Sequence, residues 1–114
     1  MNFESRSAAN GDVSVLELAG RFDAYEVSAV KEWLNKVTNS SPAWVVVNLS
    51  TVNFIDSSGL AALVQGMKRC RQQDGDLYLC GLQQPVRIIF ELTRLDRAFE
   101  IFAEENEAVA AFMN

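Results

Sequence analysis

Asp56-Ser57-Ser58-Gly59 sets a carboxylate and two hydroxyls side by side, ahead of a glycine and an apolar run. Asp and Ser are among the best helix N-cap residues, because a side-chain oxygen accepts a hydrogen bond from a first-turn backbone N–H. Behind this cluster, Leu60, Leu63, Val64 and Met67 recur at helical spacing. Lys68, Arg69 and Arg71 crowd the last turn, where a helix dipole favours cations. Ahead of it lies Trp44-Val45-Val46-Val47-Asn48-Leu49, the short β-branched run of a strand covered on both faces. The serines therefore fall at a helix N-terminus, beyond the end of a sheet strand. Backbone N–H groups there lack intrahelical partners and receive an anion or a phosphate readily. One cap residue suffices for a helix; three candidates and a glycine exceed that need.

Other chemistry is bounded by what is absent. The chain has no histidine, which removes Ser–His–Asp and Cys–His catalysis and any His-ligated metal site. Cys70 falls in the helical pattern and Cys80 in a strand pattern, without C-x-x-C spacing, so both are expected buried and reduced. Lys31, Lys36 and Lys68 lie at no catalytic spacing from a serine, and both Gly-x-Ser-x-Gly and a Walker-type glycine loop are missing. The expectation is a protein that is not an enzyme and has no cofactor and no metal.

Composition narrows the partners. A net charge of −5 opposes nucleic-acid binding, which needs a basic surface, and suits a basic protein partner better. With 114 residues, 49% hydrophobic and 22% charged, residues 1–114 read as a single globular domain. No apolar run approaches the ~18 residues of a membrane span. The start Met1-Asn2-Phe3-Glu4-Ser5-Arg6 is unlike a signal peptide. A soluble, cytoplasmic monomer is expected.

The elements that must position the serines follow from periodicity. Asn2 to Ala8 reads as a weak strand joined through Asn10-Gly11, a hairpin signal, to a strand at Val13 to Leu18. Gly20 then permits a sharp turn, and Asp23 with Glu26 three residues later matches a capping box. A first helix is predicted over 24–37, with Val27, Val30, Leu34 and Val37 as its apolar stripe and Trp33 alongside. After the central strand and helix, Asp74-Gly75 turns into a strand at Leu77. Pro85 opens a helix over 86–92, Phe99 to Phe102 forms a short last strand, and Glu104 to Met113 closes as a helix. Strands alternating with helices point to an α/β fold, mostly parallel, with one antiparallel edge.

The run Val45 to Leu60, VVVNLSTVNFIDSSGL, closely resembles the central motif of STAS domains, in particular of bacterial anti-sigma factor antagonists. Gly20-Arg21-Phe22-Asp23 is similar to the family's turn before its first helix. Leu77-Tyr78-Leu79-Cys80-Gly81-Leu82 sits where the family has its next strand, and Phe90 to Leu95, Phe99 to Phe102 and Ala108-Val109 resemble its tail. The resemblance implies a STAS fold: a mixed, mostly parallel sheet of about five strands with an antiparallel edge hairpin, packed with about four helices.

It also implies a function. Ser58 matches the serine that a partner kinase phosphorylates, with Ser57 the second choice and otherwise the N-cap. Asp23, Asp56, Ser57, Ser58, Gly59 and Leu60 are the implied partner-binding residues. For Asp56, helix capping stands level with the family reading, which is contact with the kinase or help in orienting Ser58; Asp23 caps first, and the family's matching turn also sets it beside a partner. Arg21 departs from the acidic residue common at its position, and Arg94 stands where many relatives have glycine. The implied partners are an anti-sigma factor serine kinase with a histidine-kinase-like ATP-binding fold and a metal-dependent serine phosphatase, with no nucleic acid and no membrane. The alternative is a non-switching regulatory or scaffold subunit of a transporter or signalling complex.

Overall fold

The structure, a computed structural model, describes residues 2–114. Its strands are β1 (Asn2–Ala8), β2 (Val13–Phe22), β3 (Trp44–Ile55), β4 (Asp76–Cys80) and β5 (Ile101–Phe102). Its α-helices are α1 (Val27–Val37), α2 (Ser57–Gln72), α3 (Gln84–Leu92) and α4 (Glu105–Met113). The strands form one sheet in the order β1-β2-β3-β4-β5; the β1–β2 pair is antiparallel and every other pair parallel. This is the mixed, mostly parallel STAS-like α/β architecture expected. The expected hairpin forms, but as a four-residue connection between the paired Ala8 and Val13 rather than a two-residue turn, with Ala9, Asn10 and Gly11 all at positive φ.

The alternation of β2, β3 and β4 divides the core between the two faces. Leu16, Leu18, Val45, Val47, Leu77 and Leu79 face one way and pack with Val30 and Leu34 of α1, Leu63 and Met67 of α2, and Val86 and Phe90 of α3. Val13, Val15, Val46 and Cys80 face the other way, under Ala108 and Phe112 of α4. Phe112 stacks on Tyr78 with ring centroids 3.9 Å apart. Arg6, Glu17, Glu105 and Asn48 are linked by hydrogen bonds across β1, β2, β3 and α4.

β5 is shorter than the expected Phe99–Phe102 and α3 starts earlier, at Gln84; three further differences from the sequence expectation each have a physical reason. First, β2 runs on to Phe22 and β3 to Ile55, because the two strands keep pairing after β4 has ended at Cys80 opposite Asn48. Thr51 helps, its hydroxyl donating to the Leu18 carbonyl at 2.9 Å. Gly20 is therefore not a turn: at φ +89° it lies within β2, beside a register shift between Gly20 and Arg21.

Second, α1 begins at Val27 and no capping box forms between Asp23 and Glu26. The Asp23 carboxylate instead accepts the Tyr25 N–H at 3.1 Å, and its carbonyl accepts the Glu26 N–H. The acid shapes a local turn, a habit of Asp that competes with helix capping. Third, Arg94 has φ +61° in the left-handed region, which favours glycine; its exposed side chain says nothing of that constraint.

Candidate functional site

The Asp56 cluster sits where the ends of β2 and β3 meet the start of α2. Asp56 is extended (φ −108°, ψ −177°) and is the N-cap of α2, its Oδ1 accepting the Gly59 N–H at 3.0 Å. The expectation that Ser57 caps the helix is thus corrected: Ser57 is already the first helical residue. Asp competes well for this position because its charge also meets the positive end of the helix dipole. Its second oxygen accepts the Ala24 N–H at 3.2 Å, and its own N–H donates to the Phe22 carbonyl at 3.3 Å.

With Asp56 as the cap, both serines are released from that task. Among the described residues, neither the Ser57 nor the Ser58 hydroxyl makes a hydrogen bond. Ser57 is exposed and Ser58 half-buried. Both lie in the first turn of a long helix, where backbone N–H groups point outward. An added phosphoryl group there would meet those donors and the dipole, worth about 0.3–1 kcal/mol at an exposed site.

Gly59 and Leu60, expected among the partner contacts, are buried. A Cβ on Gly59 would lie 2.7 Å from the Phe22 carbonyl oxygen and 2.9 Å from Ile55 Cγ1. The glycine lets the helix start pack directly onto the last residues of β2 and β3. Leu60 enters the core with Phe22 and Ile55.

A second feature lies beside the serines and was missed in the sequence. Arg21 and Phe54 are opposite one another in the β2–β3 register, and the guanidinium carbon lies 3.9 Å above the Phe54 ring centroid. Tyr25, on the turn held by Asp23 and Asp56, has 93% of its surface exposed. The available signal was an aromatic residue beside each polar turn, but only the strand register brings positions 21 and 54 together.

Burial holds the thiols protonated: Cys70 is pushed up to about 12, with Asp76 adding to the effect, and Cys80 likewise to about 12, with Glu105 adding. Both are free and buried, as expected. Among the described residues, no group of three or more Cys, Asp or Glu side chains is placed to hold a metal ion. No helix among them is long and apolar enough to cross a membrane.

The sequence model of the STAS domain matches residues 6–108. The chain belongs to the STAS-domain family. It is 30% identical over 95 residues to an anti-sigma-B factor antagonist of Staphylococcus epidermidis, covering 83% of this chain and 88% of that protein. An anti-sigma-factor antagonist (STAS) domain protein from Planctomyces limnophilus superposes with a TM-score of 0.87 at 23% identity, over 98% of each chain. The Bacillus cell fate determinant SpoIIAA in its phosphorylated form superposes at 0.75 and 20% identity, over 96% of this chain and 98% of that one. The last two likenesses are of fold. In this STAS chain the Asp56 cluster lies within the matched region.

Proposed function

We propose that this STAS protein is an anti-sigma factor antagonist controlled by phosphorylation of Ser58. Unmodified, it binds an anti-sigma factor that is a serine kinase with a histidine-kinase-like ATP-binding fold, and so frees a sigma factor. The kinase phosphorylates Ser58 and the contact breaks; a metal-dependent serine phosphatase restores it. Asp23, Asp56, Ser57 and Ser58 present the contact surface, and Gly59 and Leu60 support it from beneath.

The observation that carries this reading is the division of labour at the start of α2. Asp56 caps the helix, which leaves two unengaged serine hydroxyls at an anion-receptive position. Relatives named anti-sigma factor antagonists support it, as does a fold shared with a phosphorylated structure. A phosphoryl group of charge about −2 need not move the backbone. Its effect falls on the complex, where an interface shaped around a neutral hydroxyl would have to accommodate it. About 3 kcal/mol of repulsion and desolvation is enough to lower affinity roughly a hundredfold.

The test combines mapping with binding. Incubated with its kinase and ATP, the protein should gain one phosphoryl group, located by fragmentation on Ser58 rather than Ser57. Ser58→Ala should bind the kinase and resist modification, and Ser58→Glu should bind far more weakly. If both variants bind like the unmodified protein, the switch is wrong.

A further inference from the structure

We infer that Arg21, held on Phe54, is a specificity-determining residue of this interface and takes a carboxylate of the partner protein, with Tyr25 as the adjoining anchor. The inference rests on the proposed partner-binding role of the Asp56 cluster and names what the partner must carry. Arg21 is held from two sides: its guanidinium lies 3.9 Å above the Phe54 ring, and its Nε is 3.8 Å from Asp23 Oδ2. Its side chain nonetheless remains 63% exposed. Among the described residues its terminal amino groups have no carboxylate partner.

A guanidinium held over a ring, with its outer fork free, is already ordered for a two-point contact with a carboxylate. On a chain of net charge −5 it is also a local inversion of sign, and complementarity calls for an acidic group opposite it. Tyr25 adds the other half of an anchor: a large, nearly fully exposed ring on the turn tied to Asp23 and, through Ala24, to Asp56. Tyr and Arg are the residues that most often dominate interface energetics. The turn that carries Tyr25 follows directly on β2, which carries Arg21, and is tied to the cap of the helix bearing the serines. The partner's docking face is therefore expected to bring an Asp or Glu over Arg21 and an apolar recess over Tyr25.

The experiment titrates each purified serine-kinase anti-sigma factor of the source organism by calorimetry with the full-length protein and its Arg21→Glu, Arg21→Lys and Tyr25→Ala variants. Arg21→Glu should weaken binding by about thirtyfold or more. Arg21→Lys, which keeps the charge and loses the fork, should lose less, and Tyr25→Ala about tenfold. Thermal unfolding of all variants should match the unsubstituted protein, since these side chains lie at the surface. A carboxylate-to-lysine substitution in the bound kinase should restore affinity for Arg21→Glu. Binding of Arg21→Glu within about twofold of the unsubstituted protein would overturn the inference and leave the proposed function standing. An effect of Arg21 substitution seen only in the Ser58→Glu background would also overturn it, by assigning Arg21 to the protein's own anionic group. If the unsubstituted protein binds none of the kinases, the proposed function fails and this inference falls with it.

Discussion

Asp56 Oδ2 lies 3.2 Å from the backbone nitrogen of Ala24, so one carboxylate both caps α2 and holds the β2–α1 turn against it. Asp56→Ala removes both hydrogen bonds. The cap is worth about 1 kcal/mol, and the solvent-facing tether adds less. A loss of about 1–2 kcal/mol is expected in urea unfolding, with Asp56→Asn recovering most of the capping part. An Asp56→Ala protein as stable as the original would remove the clamp from the account.

Gly59 tests how closely the helix is seated. Because the obstacle to a Cβ is the Phe22 backbone carbonyl at 2.7 Å, a flexible side chain cannot simply swing aside. Gly59→Ala should destabilise the protein by roughly 1–3 kcal/mol, despite alanine's better helix propensity. Chemical unfolding gives the number; a gain in stability would show that the strand ends yield easily.

Ser58→Glu separates folding from binding. The negative charge sits in the first turn of α2, where the dipole offsets part of any cost to a half-buried site. Its stability should stay within about 1 kcal/mol of the original, with unchanged far-ultraviolet circular dichroism. A much larger loss would mean that the position does not accept an anion.

The thiols give a pH signature. Burial raises both from 9.0 to about 12. Between those values an unfolded chain releases the protons while the folded chain keeps them, so the unfolded state binds fewer. Stability is unaffected by these groups below pH 9 and falls as pH rises from 9 towards 12. Unfolding midpoints measured in guanidinium at pH 8 and pH 10.5 should show the decline, and a Cys70→Ala/Cys80→Ala protein should show less of it. The native thiols should also resist alkylation at pH 8 until the chain unfolds.

Much of the architecture was legible along the chain because burial leaves periodic marks. The Val45-Val46-Val47 run, the α2 stripe and the Asn10-Gly11 hairpin each encode a local conformation that the tertiary structure keeps. Where expectation and structure part, a long-range partner decided. The strand expected over Trp44 to Leu49 continues through Ser50-Thr51-Val52-Asn53 because β2 is there to pair with it. Asp23 and Asp56 were both plausible caps; only Asp56 stands over a helix start, where it accepts the Gly59 N–H that has no intrahelical partner. Arg94 carries no sign of its left-handed backbone, since φ is set by how α3 ends.

By itself the amino-acid sequence determined the α/β alternation, the placing of Asp56, Ser57 and Ser58 at a strand-to-helix junction, and the exclusion of histidine-dependent chemistry. These depend on residue type and near neighbours alone. Only the tertiary structure decided that Asp56 takes the cap and releases the serines, that Gly59 admits the Phe22 carbonyl, and that Arg21 lies on Phe54. Those relationships join residues up to 37 positions apart (Phe22 to Gly59). They exist only once β2 and β3 have paired in register, a cooperative outcome of burying both strands that no local window of sequence contains.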